Sequence, residues 1–348
     1  MNHVGVDLHK ETSLFYIVDK NGKKISSKNV TNNPEVLKQY FEQIPMPFIL
    51  AVEATYNWYY FVDIAEQYAE KVFLANSYEL KAFAKRHKKT DKIDARLIAT
   101  ILQKGFLPVV TIADKQTRQV RELLRYRMKL VTDRSRNISR LKALLDRLGI
   151  NSNGDFTTYK RLKAISAKNT TTIYKKLVIN YIERITELTQ KLKSIEKDIS
   201  AVSCNDQHMV NLMSIPGIAD FSAALIKTEI IDISRFASFN RLCAYAGLAP
   251  RVSASANKIF HGPLNKNRRK NLQWILLENV YHFIKAIPEM QEKYEIYKQR
   301  KGHNTAKVAL ARAMLKIIYH VLKEQRPFYF SSRNCQIQSV ASPALSGV

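Results

Sequence analysis

Four acidic residues occupy positions where a carboxylate group needs a chemical partner. Asp7 interrupts the apolar alternation of the first strand-like run, and Glu53 ends the apolar run Phe48–Val52. Asp91 and Asp94 stand three residues apart at the start of a helical segment, so their side chains share one helix face. Carboxylates in apolar surroundings, or crowded on one face, are costly unless a cation neutralises them. This spacing predicts a cation-binding site.

A divalent metal ion is the cation that such oxygen ligands favour. Mg²⁺ (or Mn²⁺) prefers carboxylate oxygens, and the sequence has no cluster of Cys and His residues that would favour zinc. A pair of such ions serves phosphoryl transfer, because one activates the attacking oxygen and the other stabilises the leaving oxygen. We therefore expect Asp7, Glu53, Asp91 and Asp94 to bind Mg²⁺ and to catalyse a reaction of phosphate esters.

Each acid taken alone also has a simpler interpretation. Asp91 and Asp94 could be first-turn acids that the helix dipole favours. Asp7 could lie beside a turn at the surface, and Glu53 could end its strand facing solvent. The combination favours the metal site, because acids on a first strand, a fourth strand and a later helix are the layout of ribonuclease-H-like nucleases.

The charge balance points to a polyanionic partner. The 348 residues include 56 Lys and Arg against 30 Asp and Glu, which gives a formal net charge of +26. Such an excess destabilises a compact fold by self-repulsion unless a polyanion is bound, and nucleic acid is the obvious one. An anionic membrane surface is the alternative. It favours a terminal basic amphipathic helix, whereas these basic residues are spread through the middle of the chain.

The sequence carries no sign of a membrane or secreted protein. No segment approaches the roughly 18 uninterrupted apolar residues of a membrane span, and no signal-peptide pattern is present. Cys204, Cys243 and Cys335 lie far apart without metal-ligand spacing, which argues against a disulfide framework or a zinc ribbon. We expect a cytoplasmic, nucleoid-associated protein that does not contact a membrane.

Residues 1–112 predict a mixed α/β domain that would position the acids. Three strand-like runs, with an Asn21-Gly22 turn between the second and third, are followed by helix, strand, helix and strand. A further helix can be capped by Thr90 and ends near Gly105. This order fits a central sheet covered by helices.

Residues 113–204 predict two long helices. In the first, residues 115–148, ten basic residues between Arg118 and Arg147 alternate with apolar ones, so one face can pack while the other is strongly positive. The second, residues 171–202, repeats apolar residues at 3-4 spacing, which is typical of a coiled-coil seam. That spacing fits a helical hairpin, a dimer contact or a helix packed within the same subunit.

Residues 205–326 predict a further helical domain. Gly and Pro separate its helices, which are expected around residues 273–284 and 305–322, and a basic polar loop is expected after residue 250. Residues 327–348 are small and polar without a period, so we expect a disordered tail.

Separated motifs resemble those of one known family, in the same order. The first half has VGVDLHK around Asp7, AVEAT around Glu53 and TDKIDARLIA around Asp91 and Asp94. The second half has SIPGIADFSAALI and RFASFNRLCAYAGLAPRVSASANK. These motifs are similar to those of the DEDD transposases of the insertion-sequence family one-ten, over about residues 2–110 and 212–285.

The resemblance implies an N-terminal nuclease domain with a ribonuclease-H-like fold, similar to Holliday-junction resolvases, and a helical C-terminal transposase domain that supplies a nucleophilic serine. The family pattern there is Gly-Leu-x-Pro and then a polar stretch that ends in Ser-Gly. In this sequence Gly247–Pro250 reads GLAP, and the aligned serine is Ser255. Ala256 replaces the final glycine, so Ser253 is the alternative nucleophile.

Basic residues flank that serine and are expected to contact phosphate groups. They are Arg251, Lys258, Arg268 and Arg269, with Lys266 and Lys270 beside them. The alternative is that they are ordinary solvated charges.

The same resemblance implies the partners. They are double-stranded DNA, at the element ends and at the target, and a structured non-coding guide RNA encoded beside the gene. It also implies a homo-oligomer, a dimer or a tetramer, in which the acids of one subunit meet the serine of another.

The combined prediction is a Mg²⁺-dependent transposase or site-specific recombinase that exchanges DNA strands through a covalent phosphoserine link. Two other hypotheses need fewer features. A metal-dependent resolvase-like nuclease that uses water as the nucleophile needs only the four acids. A non-enzymatic DNA- or RNA-binding protein needs only the positive charge.

Overall fold

The computed structural model describes residues 1–83, 91–151, 153, 172–255, 258–264 and 268–329. The side chains of residues 91–93, 251–261 and 263 are outside this description. The chain forms two compact units, Met1–Ala113 and Asp114–Val348.

The described residues of the first unit form a six-stranded mixed sheet. Its strands are β1 (Asn2–Leu8), β2 (Thr12–Val18), β3 (Lys24–Thr31), β4 (Phe48–Glu53), β5 (Lys71–Ala75) and β6 (Val109–Val110). They lie in the order β3-β2-β1-β4-β5-β6. β1, β4 and β5 are parallel, whereas β2 and β6 run antiparallel to their neighbours.

Helices cover both faces of this sheet. They are α1 (Pro34–Glu42), α2 (Trp58–Ala65), α3 (Ser77–Leu80) and α4 (Asp91–Gln103). On one face, Phe15 and Phe48 of the sheet pack with Phe41 of α1 and Phe61 of α2 in one buried cluster. On the other face α4 packs against small residues such as Ala51. β4 is apolar from Phe48 to Val52, as expected for a strand buried on both faces, and ends in Glu53.

The mixed α/β sheet that the sequence predicted is confirmed. Gly105 follows α4 with a φ of +72°, and the N–H of Phe106 donates to the carbonyl oxygen of Ile101 at 3.1 Å, as expected for a glycine that ends a helix. Thr90, the predicted cap, lies outside the described residues. β6 was not predicted, because a two-residue edge strand carries no periodic pattern.

The second unit is mostly helical, as predicted. Its described helices are α5 (Lys115–Arg147), α6 (Thr172–Cys204), α7 (Gln207–Met213), α8 (Asp220–Ile230), α9 (Phe239–Tyr245), α10 (Lys270–Ala286), α11 (Pro288–Lys301) and α12 (His303–Glu324). Strands β7 (Pro250–Ser255) and β8 (Lys258–Leu264) form an antiparallel hairpin between α9 and α10. α11 was not predicted, because its mostly charged sequence has no apolar stripe and buries only Met290 and Tyr294.

The apolar row of α6 is buried within the same chain. Near the start of α6, Val178 shares a buried cluster with Leu144 near the end of α5. Near the end of α6, Ile199 shares the main core with Leu124 near the start of α5. The two helices therefore pack antiparallel, which fits the hairpin and packed-helix interpretations. A coiled coil between subunits stays a prediction.

Two arginines of α5 are buried, so the expectation that they belong to the positive face is wrong. Arg118 is 5% exposed and Arg121 is 6% exposed. Arg121 donates from Nε and Nη2 to the carbonyl oxygen of Thr228, at 2.9 and 2.5 Å. Thr228 lies in the last turn of α8, where carbonyl groups lack partners within the helix and carry partial negative charge. The exposed basic residues of α5 are Lys115, Lys129, Arg136, Arg140 and Arg147.

The chain beyond α12 is held in place over its first residues. The N–H of Phe328 donates to Oγ of Ser214 at 2.7 Å, and the Phe328 ring packs against the main core. Disorder was expected from residue 327 onward, and residues 330–348 lie outside the described part of the chain.

Two further sequence expectations concern membranes and cysteines. Among the described helices, none combines the length and apolar character that crossing a membrane requires. Cys204 and Cys243 are free thiols, and Cys335 is outside the described residues.

Replacing one buried and one exposed arginine of α5 should separate packing from nucleic-acid binding. Arg121→Ala removes the hydrogen bonds to Thr228 and the packed methylene groups, so the free energy of unfolding should fall by about 2–3 kcal/mol. Arg140→Ala should change it by less than about 0.5 kcal/mol and should weaken binding of DNA or RNA. Chemical denaturation and a salt titration of binding measure the two effects. Equal losses of stability would contradict the burial of Arg121.

Candidate active site

Asp7 and Glu53 lie side by side near the carboxyl ends of two parallel strands. The register of β1 with β4 pairs Val6 with Val52, so the next residues along the two strands are neighbours. Adjacent strands are about 4.8 Å apart. Laterally paired residues of parallel strands point to the same face. The fold therefore brings these two acids together on one face of the sheet.

Helix α4 covers that same face. A Cβ atom on Gly5 would lie 2.3 Å from the carbonyl oxygen of Ala95 and 2.3 Å from the backbone nitrogen of Ala99. Gly5 stands two residues before Asp7 and therefore faces the same side. The backbone of α4 thus packs on β1 at a distance that only a glycine permits.

The direction of α4 brings its first turn towards Asp7. At the far end of the helix, Nε2 of Gln103 donates to the carbonyl oxygen of Lys20 at 3.0 Å. Lys20 follows β2, in the turn beside the start of β1. The helix therefore runs antiparallel to β1, and its first turn, which contains Asp91 and Asp94, lies towards the end of β1 that carries Asp7.

Asp7 is buried beside a histidine. It is 6% exposed, and its Oδ2 lies 3.2 Å from Nε2 of the exposed His9. The carbonyl oxygen of His9 accepts hydrogen bonds from the side-chain amides of Asn32 and Asn57, at 2.8 and 2.7 Å. These amides fix the loop that follows β1, so the imidazole is held next to the carboxylate.

The candidate metal ligands near the end of β1 that carries Asp7 are carboxylate oxygens. Glu53 and Asp94 are half-buried, whereas the side chain of Asp91 is outside the described set. Among the side chains that are described, no three His, Cys, Asp or Glu residues meet as a metal-binding group. By donor chemistry the acids fit a hard divalent ion such as Mg²⁺, which prefers oxygen ligands.

Ser255 lies at the tip of the β7–β8 hairpin. The ladder closes with Ser255 opposite Lys258, and Ser253 lies opposite Phe260. The basic polar loop that the sequence predicted for this stretch is therefore wrong. Small and polar residues give a weak strand signal, and contacts from distant helices fix the base of the hairpin.

The basic residues expected to contact phosphate occupy different environments. Arg251 and Lys258 belong to the hairpin strands, and the structure does not describe their side chains. Arg268 is half-buried, and its side chain packs against Gly247. Arg269 is engaged in an ion pair within the chain. Contact of any of them with nucleic acid stays a prediction.

The partner of Arg269 is a buried acid that the sequence analysis did not single out. Nε and Nη2 of Arg269 lie 2.9 and 2.8 Å from Oε2 of Glu229, and Glu229 is only 3% exposed. The local signal was weak, because Glu229 follows Lys227 and Thr228 and so resembles the end of a short polar segment.

Two family models match this chain. The model for DEDD transposases of IS110 elements, described as a transposase, matches residues 4–150. A second, described as the transposase of the IS116/IS110/IS902 family, matches residues 209–295. Together they match about two thirds of the chain. The chain belongs to the IS110 family of DEDD transposases.

Relatives of this transposase match it over almost its whole length. The transposase of insertion sequence element IS1111A from Coxiella burnetii is 25% identical, with 93% of this chain and 90% of the relative covered. The transposase of element IS1328 from Yersinia enterocolitica is 23% identical, with 93% and 98% covered. A pilin gene-inverting protein from Moraxella bovis is 24% identical, with 94% and 97% covered.

Family membership establishes the class of enzyme. The chain is an insertion-sequence transposase and acts on DNA, and a DEDD family suggests use of a divalent metal ion. The four acids singled out in the sequence lie inside the first matched region, and Ser255 lies inside the second.

Replacing Gly5 tests the close packing of α4 on the sheet. In Gly5→Ala the added methyl group meets backbone atoms, so the helix must shift. The free energy of unfolding should fall by about 1–3 kcal/mol, and transposition should fall strongly because Asp94 moves away from the strand acids. Chemical denaturation and a DNA strand-transfer assay measure these effects.

Gly105→Ala is the matched control for this substitution. No atom lies within 4 Å of its added Cβ, although a φ of +72° makes the alanine strained by about 1 kcal/mol. We expect a modest loss of stability with activity retained. If Gly5→Ala also keeps its activity, the placement of α4 over the acids is wrong.

Proposed function

We propose that this transposase exchanges DNA strands through a covalent phosphoserine intermediate, with Ser255 as the nucleophile and a Mg²⁺-binding site formed by Asp7, Glu53, Asp91 and Asp94. The observation that supports the metal site is the neighbouring register of Asp7 and Glu53 on the face covered by α4, whose first turn is directed towards the same end of β1. Bound Mg²⁺ (or Mn²⁺) would supply charge stabilisation at the attacking and leaving oxygens of a phosphate ester.

A ribonuclease-H-like fold for the first unit is part of the proposal. Its support is the order β3-β2-β1-β4-β5, with three antiparallel strands followed by two strands parallel to β1. In such a sheet the carboxyl ends of β1 and β4 are adjacent, so acids at those ends share one site. The similarity to Holliday-junction resolvases follows from the family resemblance.

The reaction of the serine with DNA keeps the number of phosphoester bonds constant. Oγ of Ser255 attacks a DNA phosphorus atom, the bond from phosphorus to the 3′ oxygen breaks, and that oxygen takes up a proton as the hydroxyl proton of serine is released. A 3′-hydroxyl of the other duplex then attacks the phosphoserine in the reverse reaction. One phosphoester is exchanged for another in each step, so no nucleotide hydrolysis is required.

One relative supports strand exchange rather than simple cleavage. The Moraxella bovis relative is named as a gene-inverting protein. Inverting a segment requires that every cut end be rejoined, and a covalent protein–DNA link keeps the ends reactive for that purpose. Hydrolysis by water would leave free 5′-phosphate ends instead.

The proposed partners are the DNA duplexes of the element ends and the target, a non-coding guide RNA and further copies of the chain as a dimer or tetramer. The formal net charge of +26 and the exposed basic residues of α5 support contact with nucleic acid. The guide RNA and the oligomer follow from the family resemblance.

Ser255→Ala should abolish the covalent adduct. Purified protein with Mg²⁺, guide RNA and target DNA should give a protein–DNA species that survives denaturing electrophoresis, because the phosphoserine bond is covalent. The matched control is Ser253→Ala on the same strand, which should keep the adduct. The opposite pattern would assign Ser253. An adduct that survives both substitutions would assign the attack to a different side chain, whereas free 5′-phosphate ends without any adduct would favour water as the nucleophile.

The acids should be required for chemistry but not for DNA binding. Asp7→Asn and Asp94→Asn should each lower strand cleavage by about 100-fold or more, since electrostatic stabilisation of the reacting oxygens is lost. Removing divalent metal with a chelator should have the same effect. Glu42→Gln, an exposed acid on α1, is the control and should cleave normally. Normal cleavage by Asp94→Asn would remove that residue from the site.

Mixing inactive variants tests the oligomer. If the acids of one subunit act with the serine of another, Asp94→Asn and Ser255→Ala proteins should regain adduct formation when combined. Each should be inactive alone. No recovery after mixing would contradict the sharing of a site between subunits.

A further inference from the structure

The base of the β7–β8 hairpin is fixed by contacts between its two stems. The N–H of Arg269, after β8, donates to the carbonyl oxygen of Tyr245, before β7, at 3.0 Å. Nε2 of Gln273 donates to the carbonyl oxygen of Gly247 at 2.6 Å. Gly247 has a φ of +72°, and the side chain of Arg268 packs where a Cβ would lie. The chain enters and leaves the hairpin at one shared place.

Glu229 joins this base to α8. Its Oε2 accepts a hydrogen bond from Nε of Arg269 at 2.9 Å, and its Oε1 accepts one from Nδ2 of Asn271 at 3.2 Å. Its backbone carbonyl oxygen accepts the hydroxyl of Tyr245 at 3.0 Å. One buried residue therefore contacts the stem on each side of the hairpin and the first turn of α10.

The charge of Glu229 also balances two arginines. Arg121 is buried and donates to the carbonyl oxygen of Thr228, the residue next to Glu229. Burial lowers the pKa of Arg121, attraction to Glu229 raises it, and repulsion from Arg269 lowers it. Without the carboxylate, two guanidinium groups would be left close together in a poorly solvated place, which favours movement of the less buried Arg269.

The tip of the hairpin is sensitive to movement at the base. Ser255 lies five residues beyond Pro250, which is about 17 Å along a strand. A tilt of about 3° at the base therefore moves the tip by about 1 Å, and a misplacement of that size can slow a positioned reaction about 100-fold. β7 and β8 form a two-stranded sheet, and such a hairpin has little stability of its own. Contacts at the base must supply its orientation.

We propose that Glu229 is a positioning residue for strand exchange. Its buried carboxylate, held by Arg269 and Asn271, fixes the angle of the β7–β8 hairpin and so the place of Ser255. This inference rests on the function proposed above, in which Ser255 attacks DNA. Because Glu229 acts at the base, its loss changes the rate of the covalent step and leaves DNA binding intact.

Glu229→Gln tests the role of the charge with little change in volume. At saturating DNA, the rate of adduct formation should fall about 10- to 100-fold, while KM for DNA should change less than about threefold. The matched control is Glu278→Gln, an exposed acid on α10, which should behave as the unmodified protein. A fall in DNA affinity equal to the fall in rate would overturn the positioning role.

Two milder variants serve if Glu229→Gln folds poorly. Arg269→Lys keeps the charge but loses the hydrogen bond from Nε to the carboxylate. Asn271→Ala removes only the contact with Oε1. Both should give smaller losses of rate, and Asn271→Ala should leave KM unchanged. Glu229→Gln combined with Arg269→Lys should be no slower than the slower single variant, because both residues act through one contact. Additive losses would contradict this.

Hydrogen exchange gives a readout that does not depend on activity. In Glu229→Gln the amides of residues 250–255 and 258–264 should exchange faster, whereas those of α12 should not change. Unchanged exchange in the hairpin would overturn the inference. If the hairpin amides do exchange faster but Ser255→Ala still forms the adduct, the nucleophile assignment has failed and the positioning of the hairpin by Glu229 stands.

Discussion

A carboxylate buried in a protein destabilises the fold by several kcal/mol unless opposite charge or hydrogen-bond donors lie beside it, and both units of this chain are arranged around that constraint. In the second unit, Glu229 receives hydrogen bonds from Arg269 and Asn271. In the first unit, Asp7 contacts His9, and the strand register places a second acid, Glu53, next to it. The first arrangement cancels a charge within the chain, whereas the second gathers negative charge that a metal cation can offset.

In each unit, a glycine allows two segments of the chain to pack closely beside the acids discussed above. At Gly5 the missing side chain lets α4 lie directly on β1, so the first turn of that helix reaches the end of the strand that carries Asp7. At Gly247 a left-handed backbone turns the chain from α9 into the hairpin and leaves room for the side chain of Arg268. Neither glycine belongs to the group that it positions. Gly5 sets how closely α4 approaches the sheet, and Gly247 sets where the hairpin begins. A larger residue would therefore act on the site through the backbone.

Local patterns in the sequence were sufficient for much of the fold and for part of the candidate site. Alternation and apolar runs predicted the strands that carry Asp7 and Glu53, because a buried strand shows its environment residue by residue. The β7–β8 hairpin and the burial of Arg121 were missed for the opposite reason. Arg121 and its acceptor Thr228 are 107 residues apart, and no local period records such a contact. Glu229 was missed in the same way, because its partner Arg269 is 40 residues away in the chain.

The Glu229–Arg269 contact also raises the question of why an ion pair stands where apolar residues could pack. Buried ion pairs contribute little net stability, and apolar replacements of similar volume are often as stable or more so. Apolar contacts, however, have no preferred direction. A carboxylate that accepts one hydrogen bond from a guanidinium group and another from an amide, as Glu229 does from Arg269 and Asn271, has a defined distance and angle to each. Asp7 and Glu53 need no directional ion pair to fix their strands, because β1 and β4 are each hydrogen-bonded to a strand on both sides. Within the part of the chain that the structure describes, the hairpin strands pair only with each other, so a directional contact at their base gives the tip a defined position.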